Sequence, residues 1–105
     1  MTTLFYSHQM FAAHQVPEGH PENARRHAAV EQALAGEEYS QLLRREAPLA
    51  TAEQINRVHD DGYRRALSRA APEAGLVRLD PDTWLGPSSM EAAMRAAGAA
   101  CAAVD

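Results

Sequence analysis

The segment Thr2–Ser7 limits the possible folds more than any other. Its threonines and Leu4, Phe5 and Tyr6 favour a strand. A strand cannot stand alone, because its N–H and C=O groups need a partner. Only one other short apolar run, Leu76–Leu79, reads as extended. The other patterned segments are helical. The expectation is an α/β arrangement that is mostly helical within this chain, with one or two strands. A last helix opening at Ser88 meets no stop signal, and Asp105 would sit at the negative end of its dipole. Both features predict that residues 1–105 form an incomplete N-terminal segment of a larger domain.

Between these landmarks, residues 8–20 read as a loop punctuated by Pro17 and Gly19. Pro21 suits a first helical position, and Glu22 complements the positive helix start. That helix should bury Val30, Ala33 and Leu34 and end at Gly36 as a C′ residue. Glu37–Leu43 is expected to be a further short helical piece, with Tyr39, Leu42 and Leu43 inward. Thr51-Ala52-Glu53-Gln54 is a capping box, followed by Ile55 and Val58 as a buried side. Asp60 or Asp61 can cap the next helix, in which Tyr63, Ala66, Leu67 and Ala70 share a face. Asp80–Pro87 is a turn-rich loop. Ser88-Ser89-Met90-Glu91 is a second capping box. In the helix it opens, Met90, Ala93, Met94, Ala97, Cys101 and Val104 form one stripe, and Gly98 admits a close neighbour.

Composition excludes several classes of function. The net charge is −4, so nothing supports nucleic-acid binding, and the arginine doublets read as solvated helix faces. No apolar run approaches a membrane span, and no signal peptide is visible. Cys101 is the single cysteine, which allows no internal disulfide and suits a reducing cytoplasm. Only 6% of residues are aromatic, while alanine is abundant, so the core should be thin and closely packed.

Several residues could carry chemistry. His8, His14 and His20 recur at six-residue spacing and could bind zinc, although ordinary loop hydrogen bonding accounts for them better. His59 beside Asp60 and Asp61 could be a base–carboxylate pair, but sequence neighbours on a helix do not face each other. Asp80 and Asp82 can point the same way and grip an amide or ammonium group, or they can simply form a turn. Trp84 could line a pocket mouth or anchor its loop. Cys101 reads as a buried structural thiol.

In order and spacing, four segments resemble the N-terminal part of the histone deacetylase superfamily. They are Leu4-Phe5-Tyr6-Ser7-His8; Gly19-His20-Pro21-Glu22 with Arg26; Val58-His59-Asp60 with Tyr63; and Leu79-Asp80-Pro81-Asp82-Thr83 followed by Ser88, Glu91-Ala92-Ala93 and Ala96-Ala97-Gly98-Ala99. The resemblance is strongest to the bacterial branch, which includes histone deacetylase-like amidohydrolases, acetylpolyamine amidohydrolases and acetoin-utilisation proteins. Ala24 and His27 stand where the family often has Pro and Leu.

The resemblance implies the arginase/deacetylase fold and zinc-dependent hydrolysis of acetyl-lysine or acetylpolyamine amides. In such enzymes zinc polarises the acetyl carbonyl, and paired histidines act as base and acid. The family's Gly-His-His and Asp-x-His motifs have no match in this chain. No catalytic residue and no metal ligand are therefore expected here, and the chain alone should bind no zinc and hydrolyse nothing. By matched position, Arg26 would lie near the inner end of the acyl channel. Asp80 or Asp82 would accept hydrogen bonds from substrate at the rim, with His20 and Trp84 beside them. The implied partners are the remainder of the domain, or a self-associated copy, and an acetylated lysine or polyamine. The alternative reading is a non-catalytic module that self-associates through its last helix and strand edge.

Overall fold

A computed structural model describes residues 2–105. It contains four strands and four α-helices in the order β1 (Leu4–Ser7), α1 (Ala24–Leu34), β2 (Leu43–Glu46), α2 (Ala52–Asn56), α3 (Asp61–Ala70), β3 (Val77–Asp80), β4 (Thr83–Leu85) and α4 (Ser89–Val104). A 3-10 turn over Gln9–Ala13 follows β1, and another spans Glu37–Tyr39.

The expected first strand forms, but its partner is one the sequence did not reveal. β1 pairs in parallel with β2, Leu4 opposite Leu43 and Ser7 opposite Glu46. The expected helical piece over Glu37–Leu43 is thus corrected: only one 3-10 turn precedes the strand, and Tyr39 and Leu43 are exposed. The sequence Leu-Arg-Arg-Glu has no alternation of apolar and polar residues, which is why it hides as a strand. β1, α1 and β2 make a β-α-β unit. Leu76–Leu79, the weak candidate for a partner strand, instead contributes to an antiparallel hairpin. Val77 faces Leu85 and Asp80 faces Thr83, with an irregularity between Arg78 and Asp80. Part of the expected loop over Asp80–Pro87 is therefore strand. The Asp80 carboxylate accepts the Asp82 N–H at 2.8 Å and closes the tight reversal that makes the hairpin.

Helix ends follow local side-chain chemistry. α1 starts three residues after Pro21, because Asn23 caps it by accepting the Arg25 N–H at 3.0 Å. It ends at Leu34. Gly36 has φ −61° and is not a left-handed C′ residue, and Val30 is exposed. The Thr51–Gln54 capping box forms with both reciprocal bonds, at 2.9 and 3.1 Å. Beyond it Ile55 is half-buried and Val58 exposed. Asp60 caps α3. The inward side of α3 is partly polar: Asp61 and Arg64 pair at 2.7 Å beside Leu67 and Ala70, leaving Tyr63 and Ala66 outside. Ser88 makes no capping bond, so the second expected capping box is absent.

The core is small, as the alanine content foretells. Ala47, Ala50, Leu85 and Ala92 are its buried apolar residues among those described. α4 is its spine, burying Ser89, Ala92 and Gly98 rather than the whole expected stripe, of which Ala93 and Val104 are exposed. The Ala50 N–H donates to the Met94 carbonyl at 2.9 Å, and Arg95 Nη1 donates to the Ala47 carbonyl at 2.9 Å. These bonds bring the segment after β2 so close to α4 that a Cβ on Gly98 would overlap the Pro48 carbonyl oxygen. The 3-10 turn over Gln9–Ala13 packs on both α1 and α4, and so joins the two halves.

Candidate functional site

The turn before α1, the β3–β4 hairpin and the first turns of α4 converge on an open cleft of about 600 Å³. Phe11, Val16, Leu85 and three α4 alanines supply its apolar wall. His14, His20, His27, Asp82 and Ser89 supply its polar groups, and Trp84 stands between the two.

One corner is built by two reversals. Gly19, at φ +87°, allows the chain to turn so that the His20 N–H reaches the Pro17 carbonyl at 3.1 Å. His20 Nδ1 then accepts the Glu22 N–H at 3.1 Å, while Nε2 lies 3.0 Å from the Asp82 carbonyl oxygen and 3.1 Å from its Oδ1. The ring therefore ties the turn before α1 to the tip of the hairpin. The His20 side chain is 12% exposed and that of Asp82 86%. The Asp80 carboxyl faces inward on its own loop, away from the cleft wall. It is held below the usual carboxylate range first by the Asp82 N–H, and also by the Thr83 hydroxyl and N–H and by Arg78. Arg78 also lies over the Trp84 ring, 5.9 Å from its centroid, and fixes the indole at the hairpin.

The opposite wall centres on Ser89, which is 3% exposed. Its Oγ accepts the Gly86 N–H at 2.8 Å and lies 2.6 Å from His14 Nδ1. Below it, Phe11 meets the edge of the His27 ring at 5.5 Å, and His27 Nε2 is 3.4 Å from Glu31. Glu31 in turn accepts the Ser7 hydroxyl and links α1 to the end of β1.

Of the residues expected at a rim, the structure brings together His20, Asp82 and Trp84 on the cleft wall. Asp80 stands behind Asp82 as its support. Arg26, which the resemblance places near the inner end of the acyl channel, pairs with Glu22 at 2.6 Å on α1 and is not among the residues lining this cleft. His59 stacks near Tyr63, at 5.4 Å between ring centres, and makes no pair with Asp60 or Asp61. Cys101 is half-buried. Sequence reasoning passed over Ser89 and its pairing with His14. They are 75 positions apart, so no local pattern could join them.

His8, His14 and His20 do not converge. His8 caps the first 3-10 turn by accepting the Met10 N–H, and the other two face separate partners. Among the described residues no three His, Cys, Asp or Glu side chains are grouped to hold a metal ion. The donors present therefore do not fit a zinc centre.

A β-α-β unit, a hairpin and a spine helix bordering one cleft define part of an α/β domain. The comparisons make this specific. A family model described as the histone deacetylase domain matches residues 20–105. Among solved structures, the crystal structure of the HDA15 HD domain superposes with a TM-score of 0.80 at 22% identity, covering 92% of this chain and 29% of that one. No curated protein matches the sequence. This chain belongs to the histone deacetylase family, and its fold is that of the arginase/deacetylase class. It spans 29% of the length of the solved chain it resembles, and so corresponds to part of such a domain. The family is generally zinc-dependent.

Proposed function

We propose that this chain forms the pocket-rim portion of an amide-hydrolysing deacetylase acting on acetyl-lysine or acetylpolyamine substrates, with Asp82 as the acceptor for substrate N–H or ammonium groups. The observation that carries this reading is the placement of Asp82: cleft-lining, solvent-accessible and braced from behind by His20 and Asp80. A carboxylate whose main chain is so held stays at the cleft wall with its charge exposed, which favours a cationic or N–H-bearing ligand. Trp84 and the alanine wall of α4 offer an apolar surface for a methylene chain, whether of lysine or of a polyamine. The Gly-His-Pro-Glu and Leu-Asp-Pro-Asp-Thr segments support the bacterial amidohydrolase branch, and the lone cysteine supports a cytoplasmic setting. Bond cleavage falls to groups supplied by the remainder of the domain. The isolated 105-residue chain is inactive in this reading.

The test is deacetylation of an acetyl-lysine peptide and of N-acetylputrescine by the protein purified from its natural source, with and without Asp82→Asn. A loss of tenfold or more in kcat/KM, about 1.4 kcal/mol, is expected for the variant. Unchanged kcat/KM would overturn the rim assignment. Chelator-sensitive hydrolysis by the 105-residue chain alone would overturn its assignment as an inactive portion.

A further inference from the structure

We infer that His20 is a positioning residue, locked in the Nε2–H tautomer, that holds Asp82 at the rim through its main chain and leaves one carboxylate oxygen of Asp82 free for ligand. The inference rests on the reading of Asp82 as the rim acceptor. It begins with proton accounting. A neutral imidazole has one N–H and one acceptor nitrogen, and whichever nitrogen meets a donor must be the acceptor. His20 Nδ1 meets the Glu22 backbone N–H at 3.1 Å, and a backbone amide can only donate. Nδ1 is therefore bare, and the ring proton is on Nε2. Nε2 faces two oxygens of one residue, the Asp82 carbonyl at 3.0 Å and Oδ1 at 3.1 Å, and both can only accept. Every partner on both sides of the ring agrees on one tautomer.

Two consequences follow for the rim. The His20 N–H fixes the Asp82 main chain, while the Asp82 N–H is fixed from the other side by Asp80 Oδ1 at 2.8 Å. With both of its peptide groups held, Asp82 cannot swing its side chain out of the cleft by backbone rotation. Its Oδ1 lies 3.1 Å from His20 Nε2, whereas Oδ2 carries no protein hydrogen bond among the described residues. The ring also has no free nitrogen with which to accept a proton from substrate while the Glu22 bond stands. His20 thus acts through Asp82 and does not serve as a general base.

The experiment is a long-range ¹H–¹⁵N correlation spectrum of the labelled chain at pH 8, which reports the tautomer of each histidine directly. The Nε2–H pattern is expected for His20; the Nδ1–H pattern, or an averaged mixture, would overturn the inference without needing any variant. Two substitutions then separate the ring's two ends. In His20→Gln the amide nitrogen can replace Nε2–H toward Asp82; in His20→Asn the shorter amide can serve only the Glu22 side. The Asp82 and Thr83 amide resonances should stay near their parental positions in H20Q and move in H20N. Equal movement in both variants, or none in either, would overturn the positioning role. Failure of the deacetylase reading itself would show in the Asp82→Asn assay and would leave the His20 tautomer as it is, so the two failures are distinguishable.

Discussion

The two ends of α4 are held in opposite ways. At its C-terminal half, the segment Ala47–Ala50 lies against Gly98 with main chain nearly touching main chain, and the fit depends on the absence of side chains. At its N-terminal end, the hairpin and the turn before α1 face each other across a cleft, and side-chain hydrogen bonds from His14, His20 and Ser89 tie them together and to α4. The first region buys rigidity with smallness. The second keeps open space and is held at points. A binding rim needs this second construction, because a cleft filled to core density would leave no room for a ligand.

The sharpest way to break this contrast is Gly98→Ala. A Cβ there would overlap the Pro48 carbonyl and lie 2.7 Å from the Ala50 nitrogen, and neither backbone atom can swing aside as a flexible side chain would. Overpacking of this kind costs about 3 kcal/mol or more. Urea unfolding followed by circular dichroism should show a large fall in midpoint or no folded baseline. A near-parental midpoint would mean that the close approach is not what holds this region. Ser89→Ala is the matching test of the other end. It removes the acceptor of the buried Gly86 N–H and the partner of His14 together, a cost of about 2 kcal/mol. The same unfolding curve measures it. A loss as large as that of G98A would erase the distinction between the two constructions.

The two regions also differ in how far the sequence exposes them. The first strand, the Thr51 capping box, the Asp60 cap and the close approach at Gly98 are all legible, because each depends on residues adjacent in the chain or on the absence of a side chain. β2 is not legible: Leu-Arg-Arg-Glu carries no period-two pattern, and its strand character comes from the β1 edge that it completes. At the rim, Asp82, His20 and Trp84 are visible as residue types, and the structure does bring them to one cleft. The choice between Asp80 and Asp82 is not visible, because it turns on which carboxylate closes the reversal at Pro81. Ser89 escapes notice for a related reason. Its neighbour Ser88 has the better position for a helix cap, yet Ser89 is the one aimed at Gly86 and His14. Tertiary aim, not local pattern, decides which of the two side chains faces the cleft in each case.

A smaller effect sharpens the first half of the comparison. Thr51 follows directly on the tightly packed Ala47–Ala50 segment and starts α2 through its capping box. Thr51→Ala should cost about 1 kcal/mol, typical of an N-cap loss. Thr51→Ser, which keeps the hydroxyl, should restore most of it. The pair is read by thermal melting. Equal losses in both variants would assign the effect to the packing of the threonine methyl rather than to the cap.

The smallest effect belongs to acid titration of the rim, and its sign is fixed by the Asp80 carboxyl. In the folded chain this group is held below the ordinary value of 3.8, chiefly because its carboxylate accepts the Asp82 N–H. The native state therefore binds fewer protons than the unfolded chain in that range. Its contribution to stability is complete above the unfolded aspartate's value. It fades as pH falls through that value toward the lower native one. The group is solvent-exposed, so the change in global stability should be slight. The local change should be clearer: the Asp82 amide, no longer meeting a full carboxylate, should exchange faster with solvent as the pH is lowered from 5 toward 3, once corrected for the intrinsic pH dependence of exchange. Asp61 is lowered in the same direction, first by its bond to Arg64, but it lies on α3, away from the cleft-lining residues. Asp80→Asn should remove the acid dependence at the Asp82 amide and leave that of the Asp61–Arg64 pair in place. If the hairpin amide keeps its parental acid profile in D80N, the reversal at Pro81 is held by something other than the carboxylate, and the rim is not the point-held structure that sets it apart from the packed end of α4.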